Sequence, residues 1–205
     1  MATRRIHITG ASGSGTTTLG RAIATALAVP HHDSDDYFWE PTEPPYTTKR
    51  DEAERLALMR RLFLPRAGWV LSGSLAGWGD PLIPSFDLVV FLLTATEVRI
   101  ERLRRREATR YGAGAVEAGG ALHVESRSFL DWAAGYDTAP PDGRSRAGHE
   151  AWLAALPCPV LRLDSNRPVA ELAAAVIGAL HPGRVTVPHP GAISLEAIDH
   201  GVPPA

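Results

Sequence analysis

The chain has 205 residues, enough for one domain of ordinary size with a small lid or tail, and a hydrophobic content of 44% suffices for a buried core. Lys and Arg total 21 against 23 Asp and Glu, and the net charge of −2 argues against a general nucleic-acid surface. Cys158 stands alone, which excludes an internal disulfide or a cysteine-rich zinc site. No apolar run approaches the ~20 residues of a membrane span. The N-terminus carries no signal-peptide h-region, so a cytoplasmic protein is expected, with no membrane partner.

Arg4 to Thr9 reads as a short buried strand. Leu19, Ile23 and Leu27 recur every fourth residue and predict an amphipathic helix from Thr16, which Pro30 ends. His31-His32-Asp33 is a brief second strand running into acidic residues. Glu40 to Pro45 must be loop, because its prolines remove donors and fix φ. Thr48 is expected to cap a helix carrying Leu56, Met59 and Phe63 on one face, with Asp51 at the capping-box position. Trp69-Val70-Leu71 is a third strand, followed by the small residues Ser72-Gly73-Ser74. Asp87 to Leu93 is unbroken apolar sequence after its first residue, as a parallel strand covered on both faces requires.

Thr96 opens an Arg-rich helix to about Arg110, and Gly112, Gly114, Gly119 and Gly120 punctuate the stretch beyond it. A helical patch spans Leu122 to Ala134. A polar loop passes through Asp142-Gly143, and a further helix takes in Trp152 to Leu156. Pro159 to Leu163 is the last strand, and Pro168 starts a final helix at its first position, with Val169, Leu172, Val176 and Leu180 inward. Strands alternating with helices predict an α/β fold with a parallel sheet. The domain is placed at 1–182, with a lid inserted at about 108–147 and a tail at 183–205.

Between the first strand and the first helix lies Gly10-Ala11-Ser12-Gly13-Ser14-Gly15-Thr16-Thr17-Thr18. The phosphate-loop pattern is G-x-x-x-x-G-K-[ST] between a strand and a helix. Gly10 and Gly15 hold its glycine positions and Thr17 the metal-binding hydroxyl, but Thr16 occupies the lysine slot. Backbone N–H groups at a helix N-terminus bind phosphate whatever side chain stands there. Thr9 to Gly13 also opens like the glycine loop of a short-chain dehydrogenase, with Asp33 in place as a ribose-binding acid. Hydride chemistry of that kind needs a tyrosine and a lysine four residues apart on a helix. The only lysine, Lys49, lies three residues after Tyr46 and behind a proline-rich loop.

In layout, residues 4 to 181 resemble the small P-loop kinases of the adenylate, cytidylate and shikimate kinase type. The resemblance implies a P-loop NTPase fold: a five-stranded parallel sheet flanked by helices, with an inserted helical lid. It also implies ATP and Mg²⁺ as cofactors and a small-molecule acceptor as partner. Gly10 to Thr17 looks like the family's phosphate loop, departing at Thr16. Asp33-Ser34-Asp35 looks like the D-[ST]-D of shikimate kinases, where the first acid supports Mg²⁺ and the second binds the acceptor hydroxyl. Ser72-Gly73-Ser74 falls at the acceptor loop, Arg102, Arg105 and Arg106 at the start of the lid, and Asp164-Ser165-Asn166 at the adenine side.

Phosphoryl transfer is mainly positioning plus electrostatic stabilisation, so a loop without lysine needs cations from elsewhere. Arg99, Arg102 and Arg106 share a helix face with Arg105 beside it, and Arg127, Arg144 and Arg146 lie in the lid segment. The same helix face also suits a solvated surface paired with Glu97, Glu101 and Glu107. The expected nucleotide site is Gly10, Ser12, Gly13, Ser14, Gly15, Thr16, Thr17 and Thr18, with Thr17 and Asp33 on the metal. The expected catalytic set is Asp35, Arg102, Arg106 and Arg146. Asp35 or Asp36 is positioned to take the acceptor's proton, or the acids simply begin a helix. Tyr37, Phe38, Trp39 and Trp78 either wall the acceptor pocket or belong to the core. His31 and His32 alternate along a strand and cannot share one ion. The expected activity is transfer of the γ-phosphate of ATP to a nucleotide, nucleoside or other hydroxyl metabolite. The alternative is a nucleotide-binding protein that transfers nothing.

Overall fold

The structure, a computed structural model, describes residues 4–43 and 45–180. The expected tail at 183–205 lies outside the described residues. In chain order the elements are β1 (Arg4–Gly10), α1 (Thr16–Leu27), β2 (His31–Asp33), α2 (Asp35–Phe38), α3 (Glu52–Leu62), β3 (Gly68–Ser72), β4 (Leu88–Leu93), α4 (Thr96–Tyr111), α5 (Ala113–Val116), α6 (His123–Ala134), α7 (Arg146–Ala154), β5 (Val160–Asp164) and α8 (Val169–Ala179). The strands form one sheet in the order β2-β3-β1-β4-β5, with every pairing parallel. In a dinucleotide fold the second strand lies beside the first. Here β3 separates them, so this order gives the dehydrogenase reading no support.

The period of two along each strand divides the core into two layers. Ile6, Ile8, Val70, Leu88, Val90 and Leu92 face α1 and α8, where they meet Leu19, Ile23, Leu172 and Val176. The alternate positions Trp69, Leu71, Val89 and Phe91 face α2, α3 and α7, against Tyr37, Met59, Phe63 and Leu153. His7 also points to this second layer, with its ring stacked 5.1 Å from Phe86 and edge-on to Trp152 at 6.0 Å. Covering both faces explains why β4 reads as a continuous apolar run.

Several boundaries move from their expected places. Asp51, rather than Thr48, caps α3, its carboxylate accepting from the N–H of Ala53 and Glu54. It wins because the chain before it is still tied to Phe38 and Trp39: the Arg50 N–H donates to the Phe38 carbonyl, and Trp39 and Lys49 form an antiparallel bridge. Pro168 precedes α8 as its N-cap, and Val169, expected inward, is exposed while Leu172 and Val176 are buried. Tyr37 and Trp78 belong to the core. The excursion between β4 and β5 is α4, α5, α6 and α7 in succession, with α6 packed back on α4.

Candidate active site

All five strands end on the same edge of the sheet, the edge where open parallel sheets bind ligands. The loop from Gly10 to Gly15 leaves β1 there and turns sharply into α1. Gly13 and Gly15 hold φ of 81° and 95°, which side chains resist. A Cβ on Gly13 would also lie 2.6 Å from the Arg99 carbonyl oxygen, so this loop fits against α4 only with glycine. Gly15 caps α1 without a side-chain hydrogen bond, and no acid occupies the first turn. The first N–H groups of α1 therefore lack helical partners and face the cleft edge as a positive pole. Thr16 and Thr17 are half-buried at this end and Thr18 is exposed.

Asp33 closes the opposite side of the loop. The Thr17 hydroxyl donates to its Oδ2 at 2.7 Å, and the Ser72 hydroxyl donates to the same oxygen at 3.3 Å. His31 Nε2 in turn lies 2.9 Å from Ser72 Oγ. The chain passes tightly here: the Ser34 N–H donates to the Ser72 carbonyl at 2.7 Å, and Gly73 at φ 110° leaves room for Ser34. Asp33 Oδ1 accepts from the Asp35 N–H at 3.1 Å, so Asp35 begins the single turn of α2 just beyond the strand end. The helical reading of the acids and the site reading thus describe one segment. Asp35 opens to solvent, yet the protein crowded round it raises its pKa. The neighbouring Asp33 charge raises it further, while Arg144 and Arg106 oppose both.

The arginines divide into three uses. Arg99 is fully buried and acts as a girder. It donates to the carbonyls of Thr94, Ser12 and Ala133 and to Thr96 Oγ1, and it ion-pairs with Asp137 at 3.1 Å. It is thus no part of a solvated face. Arg102 borders the loop, donating to the Ser14 carbonyl at 3.5 Å and to Ser165 Oγ and O at 3.1 and 3.3 Å. A Cβ on Gly15 would lie 4.0 Å from its Nη1, so its charge sits beside the N-terminus of α1. Arg144 arrives from the turn before α7 and donates to the Gly10 carbonyl at 3.2 Å. Burial lowers its pKa, Asp35 being the strongest opposing influence, and its Nε is buried without a partner.

The structure brings Thr17 onto Asp33, sets Arg144 and Arg106 within electrostatic reach of Asp35, and places Arg102 beside Gly15 at the start of α1. Arg106 is exposed, with its guanidinium over the Phe129 ring at 5.7 Å. Arg146 instead pairs with Asp137 at 2.8 Å, and Arg127 pairs with Asp131 on the surface of α6. Lys49 lies over the Phe38 ring rather than at the loop. In sequence Arg144 is one lid arginine among several, and nothing local distinguishes it from Arg146. Ser72 is visible there only as part of a small-residue run. Among the described residues no cluster of three or more His, Cys, Asp or Glu forms a metal site, and no helix is long and apolar enough to cross a membrane.

Comparison with known proteins bears on the loop and its surroundings. The chain matches the family described as AAA domain over residues 6–119. It is 46% identical over 168 residues to YqaC of Bacillus subtilis (strain 168), an uncharacterized protein, which covers 82% of this chain and 92% of that one. A gluconokinase from Sinorhizobium meliloti 1021 superposes with a TM-score of 0.49 at 23% identity, over 87% of this chain and 92% of that chain. A shikimate kinase from Aquifex aeolicus does so with a TM-score of 0.49 at 14% identity, over 87% and 96%. The matched stretch takes in β1, the glycine loop, Asp33 and α4, and the chain belongs to the AAA domain family, with the P-loop NTPase α/β fold.

Proposed function

We propose that this protein is a phosphotransferase that moves the γ-phosphate of ATP to a hydroxyl of a small-molecule acceptor. The observation that carries the reading is the Thr17–Asp33 hydrogen bond of 2.7 Å at the uncapped N-terminus of α1, with Asp35 two residues further on. A hydroxyl and a carboxylate beside free helix N–H groups suit Mg²⁺, which takes few protein oxygens and shares the rest with phosphate and water. The bound ion would neutralise charge on the phosphates.

The chain's own residues then have distinct tasks. Backbone N–H groups of Gly13 and of Gly15 to Thr18 hold the donor phosphates, with Gly10, Ser12 and Ser14 shaping the loop, the Ser14 N–H donating to the Ala11 carbonyl. Thr17 and Asp33 hold the metal. Arg102 and Arg144 replace the charge missing at Thr16, Arg102 from the Ser165 side and Arg144 from the Gly10 side. Asp35 accepts the acceptor's proton, and Arg106 adds positive charge beside it. Arg146 contributes by holding Asp137, which also ties Arg99. The α5–α6 excursion acts as the lid of this cleft.

The decisive experiment is calorimetric titration of ATP with and without Mg²⁺, followed by an assay for ADP production with an acceptor panel. Micromolar binding that weakens without Mg²⁺, with acceptor-dependent ADP release, is expected. Absence of binding at millimolar ATP defeats the reading. Thr16 favours a second reading, nucleotide binding without transfer. Tight Mg²⁺-dependent binding with no ADP from any acceptor selects it.

A further inference from the structure

The two histidines of β2 point to opposite faces of the sheet. His32 enters the aromatic layer, its ring 4.1 Å from that of Phe63 and its Nδ1 2.8 Å from the Tyr37 hydroxyl. His31 faces α1 instead, on the same side as Asp33, and Ser72 lies beside Asp33 in the strand register. Three side chains thus meet in series: His31 Nε2 is 2.9 Å from Ser72 Oγ, and Ser72 Oγ is 3.3 Å from Asp33 Oδ2. A serine hydroxyl has one hydrogen and two acceptor positions. That hydrogen goes to Asp33, so Ser72 Oγ accepts from His31, and the imidazole Nε2 carries a hydrogen. The donors run one way, from His31 through Ser72 to the carboxylate oxygen that the Thr17 hydroxyl also reaches at 2.7 Å. Oδ2 has two donors and Oδ1 one, the Asp35 N–H, so Oδ1 keeps an acceptor position spare.

The helix above is shaped to admit this chain of bonds. Gly20 is buried in the middle of α1, where glycine weakens a helix relative to alanine. A Cβ there would lie 2.7 Å from His31 Nε2, 2.9 Å from its Cδ2 and 3.2 Å from Ser72 Cβ. The bare position lets the imidazole reach Ser72 beneath the same helix that carries Thr17. We propose that His31 and Ser72 are positioning residues for the metal site, fixing the rotation of the Asp33 carboxylate and with it the Thr17–Asp33 pair that would hold Mg²⁺. This inference rests on the phosphotransferase reading above. Partners of this kind orient a metal ligand without touching the metal. A ring that merely filled space under α1 would need volume but no N–H, and Ser72 would need no hydroxyl.

The test is calorimetric titration of ATP into the whole chain, once with Mg²⁺ and once with EDTA, with melting temperatures measured alongside. The wild type is compared with Ser72→Ala, His31→Leu and His31→Gln. The ratio of the two dissociation constants isolates the metal's contribution to ATP binding. Ser72→Ala and His31→Leu should each shrink that ratio about tenfold, the lower end of losses at such outer partners, with affinity in EDTA unchanged. Glutamine can place an N–H where Nε2 stands, so His31→Gln should recover most of the ratio, whereas leucine supplies only bulk. Gly20→Ala drives the ring off Ser72 and should shrink the ratio with every hydrogen-bonding group still present. A ratio untouched by Ser72→Ala, or His31→Gln faring no better than His31→Leu, overturns the positioning role and leaves the phosphotransferase reading standing. A lowered melting temperature with an unchanged ratio overturns it too, because the residues then serve packing alone. Wild-type ATP affinity that is the same with Mg²⁺ and with EDTA defeats the metal site itself, and both readings with it.

Discussion

The glycine loop and the segment between β4 and β5 meet through Arg99, Arg102 and Arg144 but are held in different ways. The loop sits between β1 and α1, its path fixed by backbone hydrogen bonds, two glycines at positive φ and a close approach to the Arg99 carbonyl. The excursion is held largely by long polar side chains: Arg99 and Arg146 on Asp137, Arg144 on the Gly10 carbonyl, and arginines over Phe129 and Trp132. A backbone cradle keeps donors in place at no entropic cost during a reaction, whereas side-chain ties form and break as a lid must. The difference fits the proposed assignment of the donor site to the loop and of the lid to the segment between β4 and β5.

The largest effect expected is on the rigid side. Gly13→Ala forces a Cβ to 2.6 Å from a backbone oxygen at a φ that costs about 1–2 kcal/mol for an L-residue. Relief requires moving the loop, and misplacement by about 1 Å costs on the order of a hundredfold. Calorimetry should show ATP affinity falling by about that factor. On the excursion, Gly135→Ala meets nothing within 4 Å and should change neither affinity nor melting temperature. Equal effects at the two glycines would erase the distinction.

Arg99 joins the two regions, and Arg99→Met removes its contacts with Ser12, Thr94, Ala133 and Asp137 at once. Asp137 is exposed and keeps Arg146, so the cost falls on the buried carbonyls that lose a donor, about 1–3 kcal/mol. Urea unfolding should report a loss of that order, with weaker ATP binding in parallel. A stability loss without any change in ATP binding would mean that the loop is held independently of α4.

Acid should open the seam where α7 meets the sheet. Burial lowers the pKa of His7 to about 3, partly opposed by its bond to the Leu71 carbonyl and aided by His149. Burial and then Arg144 lower that of His149 to about 4, and its Nδ1 shares a hydrogen bond of 2.7 Å with the Tyr136 hydroxyl. Both rings are neutral in the fold but protonate near 6.5 once unfolded, so the unfolded chain binds more protons below that pH. Stability is complete above pH 6.5 and falls as pH drops toward 4, by about 1.4 kcal/mol per pH unit for each ring. Melting temperatures at pH 7.5 and 5 should differ by several degrees. A flat profile would show that the rings reach solvent and that the seam is loose already.

Legibility in the sequence divides along the same line. The loop is a local pattern of strand, glycines and helix, so Gly10, Gly15 and Thr17 can be placed from spacing alone. The alternation of apolar residues locates the strands, although their order in the sheet depends on contacts that no local pattern encodes. The 3/4 spacing that defines a helix face groups Arg99 with Arg102 and Arg106. Spacing does not say which rotation of the helix is buried, and Arg99 turns inward. Arg144 reaches Gly10 across 134 positions of sequence. Its difference from Arg146 is set by one turn of backbone before α7, which composition cannot distinguish.

The smallest effect expected is also the sharpest test of how the two regions divide the work. If Arg144 supplies charge that Thr16 does not, Arg144→Ala should lower kcat/KM for ATP-dependent transfer by about tenfold or more, while Thr16→Lys restores a point charge from the rigid side. In the Thr16→Lys background the same Arg144→Ala change should matter less. A coupling of about 1–2 kcal/mol in the double-mutant cycle is the expected size for groups that act on one phosphate. Additive effects would mean that lysine and arginine serve different oxygens. Coupling would instead place a movable side chain in the electrostatic role that the backbone cradle lacks, making lid closure and charge completion a single event.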